Sequence, residues 1–335
     1  MTRWPALTLA LVFTATCFAV AAPVGGADGE LSLDALSDWT RDPGNPIFLG
    51  NEFSGDPFVW EAAPGDYRMV YTDSVDDRQA IAMATSTDLV EWTPNGSTQF
   101  PDGVVLQGAG PGGQDPHLET AVYRKADNGA HQIFYIGYVD EETYHSAIYV
   151  AEAPDIDGPY TRAADPILSW TPDGADAAAM TSPTIVEQDG TLYMTYIGWE
   201  AFPDGPVSIM GATSIDDGRS WKKVGPLSGE EIFGVEAETV KGPDGLFYRV
   251  GITADDQGGD VITLGQAEHP FGPYTELPEP ILTPGGPEVG EGETIMSPSL
   301  LFVPETETAY LFYAAVDTGG WPWVVSLATS EYGKR

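Results

Sequence analysis

The feature that most constrains this chain is that it lines up with itself five times. Asp56-Pro-Phe-Val-Trp60, Asp115-Pro-His-Leu-Glu119, Ser182-Pro-Thr-Ile-Val186, Glu236-Ala-Glu-Thr-Val240 and Ser297-Pro-Ser-Leu-Leu301 each open a unit, at spacings of 59, 67, 54 and 61. A polar turn follows in each, then an aromatic and β-branched run: Tyr67-Arg-Met-Val-Tyr71, Gln132-Ile-Phe-Tyr-Ile136, Leu192-Tyr-Met-Thr-Tyr196, Phe247-Tyr-Arg-Val-Gly251 and Tyr310-Leu-Phe-Tyr313. Runs of this composition bounded by turn residues read as strands joined in hairpins. A third strand ends in a shared Ala-Thr-Ser or Ala-Glu phrase, and a fourth follows around Trp92, Tyr160, Trp221 and Tyr274.

The fifth unit stops before its fourth strand, while Trp39-Thr40 and Asn45-Pro-Ile-Phe48 near the other end supply the missing piece. A repeat of this length that closes on itself predicts an all-β fold. The expected form is a five-bladed β-propeller of four-stranded antiparallel blades, its ring closed by the N-terminal strand and spanning residues 35–335. Ser214-Ile-Asp216-Asp-Gly218-Arg-Ser-Trp221 is an Asp-box, read as a structural turn whose Asp and Ser bond the backbone while the Trp packs between strands.

Residues 1–22 read as an export signal, with Arg3 ahead of an apolar stretch and Ala19-Val20-Ala21 before the cut, and residues 23–34 as a flexible segment. The single cysteine, Cys17, falls inside that signal, so the mature chain has no disulfide and no Cys-ligated metal. With 14 Lys+Arg against 51 Asp+Glu the net charge is −37, which repels phosphate backbones and excludes nucleic acid as a partner. Past the signal no apolar run is long enough for a membrane span. The expectation is a soluble, secreted or periplasmic monomer.

In a propeller the innermost strand of each blade faces the central channel, so Asp56, Asp115, Ser182, Glu236 and Ser297 should converge at one mouth. Cleaving a glycosidic bond takes one carboxylic acid to protonate the leaving oxygen and a carboxylate to activate water or to attack the anomeric carbon. Three acids on separate rigid strands suit that chemistry. Trp60, Trp199, Trp321 and Trp323 lie near inner-strand ends or adjoining loops, where flat rings can stack on sugars, and His117 points to the same face as Asp115. No phosphate-gripping loop is present, since Gly108-Ala-Gly110-Pro-Gly112-Gly113 contains proline and leads into a strand.

These units resemble the five-bladed glycoside hydrolases of family 43 and its relatives, families 32, 68 and 130. Gly55-Asp56-Pro57 with Tyr67-Arg-Met-Val-Tyr71-Thr72 is similar to their first-blade signature, which implies Asp56 as general base or nucleophile. Ser86-Thr-Asp88-Leu-Val-Glu-Trp92 is similar to a phrase of family-43 outer strands. Glu236-Ala-Glu238 keeps the spacing of the Glu-Gly-Pro phrase whose Glu is the general acid, with Glu238 at the Pro position. The resemblance implies a third acid in blade 3, where this chain has Ser182. Either Asp115 takes that role, or Asp176 reaches in from the preceding loop, or the site is weakened to binding. Some family members hold channel calcium, so a structural Ca²⁺ is entertained and no cofactor is required.

The leading expectation is therefore a secreted hydrolase of plant or algal glycans (arabinofuranosides, xylosides or fructosides). Its catalytic residues are Asp56, Glu236 and Asp115, and its carbohydrate-binding residues are Trp60, His117, Ser182, Glu238, Trp199, Ser297 and Trp321. A carbohydrate-binding propeller without turnover is the alternative. A sialidase-like enzyme is disfavoured, because clamping a carboxylate takes several arginines and this chain has few.

Overall fold

A computed structural model describes residues 31–335 apart from 76–77, 96–99, 109–115, 140–144, 203–204, 228–231, 256–258, 290, 293, 317–321 and 335. Five antiparallel sheets form the ring of a β-propeller. The inner strands are Gly55–Ala63, Leu118–Lys125, Ala179–Gln188, Val235–Lys241 and Thr294–Val303. The second and third strands of each blade continue as a meander, and the short fourth strands begin just after the expected aromatics, as at Thr93–Pro94 and Thr161–Arg162.

The aromatic runs are nearly continuous because the second strands are buried on both faces. In blade 1 Met69 and Tyr71 pack with Phe312 and Leu327 of blade 5, while Val70 packs with Ile133 and Tyr135 of blade 2. Blade 2 repeats the arrangement, sending Phe134 and Ile136 to Met194 and Tyr196 of blade 3. The core therefore lies between blades, and each fully buried large side chain contributes about 1.5–3 kcal/mol.

Thr40–Arg41 pairs with Trp323–Glu331, so the chain's first strand closes the last blade. Two side chains fasten the closure. Asn45 donates from Nδ2 to the Leu327 carbonyl at 2.9 Å and accepts from the Leu327 N–H at 2.9 Å, continuing the ladder where the strand has ended. Arg41 meets Glu291 at 2.8 and 3.0 Å, and Glu291, wholly buried, also accepts from the Tyr313 hydroxyl and from Gly285 N–H at 2.7 Å. Ahead of that strand a 3₁₀ turn, Leu33–Leu36, buries Leu33 and Leu36 against the core of blades 4 and 5. Residues 1–30, which include the expected export signal and most of the segment expected to be flexible, lie outside the described residues.

Blade 1 carries one strand beyond the expected four. Val104–Gln107 shares an edge of the third strand with Thr93–Pro94, each covering a different part of it. Single bridges at Leu168, Leu282 and Phe48 do the same in blades 2, 4 and 5, which leaves little of each outer edge unpaired.

Candidate active site

Each inner strand breaks register near its start, and at that break one residue that is not glycine takes a left-handed backbone. These are Asp56 (φ 50°), Thr120 (φ 43°), Ser182 (φ 50°), Glu236 (φ 45°) and Ser297 (φ 49°). Such a bulge re-aims the side chain, and the left-handed backbone costs of order 1–3 kcal/mol at each position. All five residues line one cavity at the centre of the ring.

Four of the five coincide with the unit openers expected from sequence. The blade-2 position does not: it belongs to Thr120, five residues past Asp115, which lies outside the described residues. Asp115-Pro116 imitates Asp56-Pro57, but Glu236-Ala237 shows that the bulge needs no proline. The signal was in the spacing, since 17 residues separate Asp115 from its aromatic run at Gln132, against 10 to 13 in the other units. The corrected register sets Glu119, named above only as the end of a phrase, directly before the bulge, where its carboxyl bonds Tyr138 and Gln79.

Both oxygens of Asp56 receive hydroxyl groups, Ser297 Oγ on Oδ1 at 2.8 Å and Thr72 Oγ1 on Oδ2 at 2.8 Å. Thr72 in turn accepts the Thr120 N–H at 2.9 Å, which ties the acid of blade 1 to the bulge of blade 2. Ser297 Oγ also lies 3.1 Å from Glu236 Oε2. A hydroxyl has one hydrogen to give. When Ser297 gives it to Asp56, the second bond needs a proton on Glu236.

Glu236 is suited to carry that proton. Burial in the channel wall, then the charges of Asp56 and Glu119, push its carboxyl up to about 8. Glu119 is raised to about 7 by burial and by Asp56, and it accepts from the Tyr138 hydroxyl and, at 3.2 Å, from Gln79 Nε2. The cluster thus sets a proton-bearing acid opposite a carboxylate held by two hydroxyls. The shared Ser297 keeps their nearest oxygens within about 6 Å of each other, so the two carboxyls face the same point of the channel.

Ser182 lines the channel opposite, in blade 3. Glu238 lines the same cavity, is buried and accepts the Leu300 N–H of blade 5 at 2.8 Å. Ser299 makes the equivalent bond to Val59 N–H at 3.0 Å, and Thr184 to Thr239 N–H at 3.1 Å, so Glu238 serves as an inter-blade clamp. Burial raises it to about 8. His117 stands two residues before Glu119, and its carbonyl accepts from Tyr138 N–H at 3.1 Å.

Two of the expected sugar-stacking rings are spent on packing. Trp60 stacks on Tyr123 at 4.1 Å, and Trp199 is buried with Nε1 on Thr181 Oγ1 at 3.1 Å. Trp321 lies outside the described residues, while Trp323 is partly exposed beside Phe53. Asp176 does not reach the channel: it is buried against Lys223, the Tyr196 hydroxyl at 3.0 Å and Thr171 N–H at 3.0 Å, and these donors hold its carboxyl low. Among the described residues no group of three or more His, Cys, Asp or Glu is placed to hold a metal.

The Asp-box is the structural turn expected of it. Ser214 Oγ bonds Asp216 at 2.8 Å and Trp221 Nε1 bonds Gly218 O at 3.0 Å. Ser86, Asp88 and Trp92 repeat these contacts in blade 1, with Leu89 in the glycine's place at φ 69°.

Among solved structures the chain is similar to a thermostable family-43 glycoside hydrolase, with 18% identity, TM-score 0.62 and coverage of 85% of this chain and 90% of that one. It is also similar to the catalytic domain of a family-62 α-L-arabinofuranosidase from Coprinopsis cinerea, with 11% identity, TM-score 0.62 and coverage of 88% and 98%. A third likeness is the α-L-arabinofuranosidase of Podospora anserina in complex with cellotriose, with 11% identity, TM-score 0.60 and coverage of 88% and 97%. At these identities the likeness carries the fold alone. A comparison with curated protein sequences finds no match. The family model "Glycosyl hydrolases family 43" matches residues 43–327, which takes in every blade and all three channel acids, and the chain belongs to that family.

Proposed function

We propose that this glycoside hydrolase acts outside the cell on plant or algal oligo- and polysaccharides of the arabinofuranoside, xyloside or fructoside class. Glu236 is the general acid, and Asp56 is the general base or nucleophile. The observation that carries the reading is the Ser297 bridge, which joins the carboxyls of Asp56 and Glu236 at the centre of the ring. Glu236 gives its proton to the leaving oxygen. Asp56, held by Ser297 and Thr72, takes a proton from water or attacks the anomeric carbon itself. Among the described residues no helix is long and apolar enough to cross a membrane.

The test is sugar release from 4-nitrophenyl α-L-arabinofuranoside, β-D-xyloside and fructan or arabinan by the parent protein and by Glu236→Gln and Asp56→Asn. Release by the parent, with a loss of about 10²–10⁴-fold in each variant, supports the assignment. No release, with a polysaccharide raising Tm of parent and variants alike, replaces it with a carbohydrate-binding propeller. NMR of the first-formed anomer then decides whether Asp56 is base or nucleophile. Mass spectrometry of the protein from culture medium tests export, the expected N-terminus being Ala22 or Pro23.

A further inference from the structure

We propose that the Ser297 hydroxyl is a proton relay between the two carboxyls it bridges, returning to Glu236 after each hydrolysis the proton that Asp56 has taken from water. The inference rests on the reading of Asp56 and Glu236 as the catalytic pair, and it assigns Asp56 the role of base.

An acid and base pair ends each hydrolysis with its proton on the other partner. Glu236 has given its proton to the leaving oxygen and is a carboxylate, while Asp56 has taken one from the attacking water and is a carboxylic acid. One proton must pass from Asp56 to Glu236 before the next cycle.

The bridge has the geometry to carry it. Ser297 Oγ lies 2.8 Å from Asp56 Oδ1 and 3.1 Å from Glu236 Oε2, both within hydrogen-bond reach. Its single hydrogen serves one side at a time, so the bridge has two arrangements. In one, Glu236 donates to Ser297 and Ser297 donates to Asp56. In the other, Asp56 donates to Ser297 and Ser297 donates to Glu236. Hydrolysis leaves the second and needs the first. As the Asp56 Oδ1–H bond breaks, a new O–H bond forms on Ser297 Oγ; the original Ser297 O–H bond breaks as one forms on Glu236 Oε2. The hydroxyl ends as it began, and no further reactant is consumed.

The surroundings favour this path. Ser297 is buried, and its left-handed bulge fixes the hydroxyl between blades 4 and 1. Thr72 accepts the Thr120 N–H and commits its own hydrogen to Asp56 Oδ2, which leaves Oδ1 to face the bridge. Burial and the charge of Asp56 raise the Glu236 carboxyl to about 8, so Glu236 holds the proton it receives. A serine at the bulge does not form such a bridge by default: Ser182, at φ 50° in blade 3, makes none among the described residues.

The test is hydrolysis of 4-nitrophenyl α-L-arabinofuranoside by the parent, Ser297→Ala and Ser297→Thr near neutral pH, over a series of imidazole concentrations at fixed ionic strength. The return of the proton follows product release, so its loss lowers kcat and leaves kcat/KM in place. In Ser297→Ala kcat is expected to fall about tenfold and to recover as imidazole, which can carry the proton instead, is raised. The parent does not respond to imidazole. Ser297→Thr keeps the hydroxyl and the parent's kcat, and Thr120 already occupies the equivalent left-handed position in blade 2. An unchanged kcat in Ser297→Ala overturns the proposal. So does a joint fall of kcat and kcat/KM that imidazole does not restore, which leaves Ser297 as a positioning residue alone. Retention of anomeric configuration also overturns it, because Asp56 is then the nucleophile and Glu236 regains its proton from water. Full turnover by Glu236→Gln removes the catalytic pair itself. Should Ser297→Ala fail to fold, Ser297→Gly replaces it with the same readouts, glycine adopting the left-handed backbone freely.

Discussion

The Ser297 hydroxyl lies 2.8 Å from Oδ1 of Asp56, although 241 positions separate the two residues in the chain. Blade 5 brings Ser297 to blade 1, and the same hydroxyl reaches Glu236 in blade 4 at 3.1 Å. Ser297→Ala leaves the ring intact but frees both acids to turn. The expected result is a fall in kcat of about tenfold with Tm nearly unchanged, measured by initial rates and thermal melting. An unchanged kcat would show that the bridge positions nothing.

Glu236 sets a pH dependence with a defined sign. Its protonated form prevails below about 8, so turnover falls as pH rises through that value. Stability follows the same direction: a carboxyl raised in the folded protein stabilises fully below its unfolded value and loses that contribution as pH rises through about 8. Glu236→Gln should therefore melt higher than the parent at pH 9 and close to it at pH 4, while losing activity at both. Calorimetry at the two pH values checks this.

Glu238 should matter to stability rather than to substrate affinity. Glu238→Ala leaves the Leu300 N–H buried without its acceptor, at a cost of about 1–3 kcal/mol, with KM unchanged. Glu238→Gln keeps an acceptor and removes the ionisation. Because Glu238 is raised to about 8, the parent loses stability as pH rises through that value and the Gln variant loses less. Parallel melts from pH 5 to 9 separate the two effects. A raised KM in Glu238→Gln would show that this residue, which lines the channel cavity, also contacts the substrate.

The ring closure is a second stability test, remote from chemistry. Glu291 is buried with Arg41, Tyr313 and Gly285 as its donors. Glu291→Ala should cost about 2–4 kcal/mol, somewhat less than a fully buried pair, because the Arg41 side chain is 25% exposed. Urea unfolding measures the cost. A change below about 0.5 kcal/mol would mean that Asn45 and the strand pairing hold the ring without it.

The repeat made the blades legible because period-2 strands, hairpin turns and a fixed unit length are local properties. Tyr71 and Phe134 are read as strand residues from their neighbours alone, and the stranded N-terminus around Thr40 could be matched to the incomplete fifth unit for the same reason. Asp56 and Glu236 were found because their units keep a uniform distance to the next aromatic run. Asp115 was placed at the ring because its Asp-Pro outweighed the longer spacing that follows it.

What the chain by itself determined is the fivefold β architecture and two of the channel acids, since both follow from residue order within a unit. Only the tertiary structure decided which side chains meet. A left-handed bulge moves the blade-2 position to Thr120 and admits Glu119, and contacts between blades turn Glu238 to Leu300 and bury Trp199. The physical reason is that local periodicity assigns a residue to a strand, whereas the direction of its side chain at a bulge depends on the blade packed beside it.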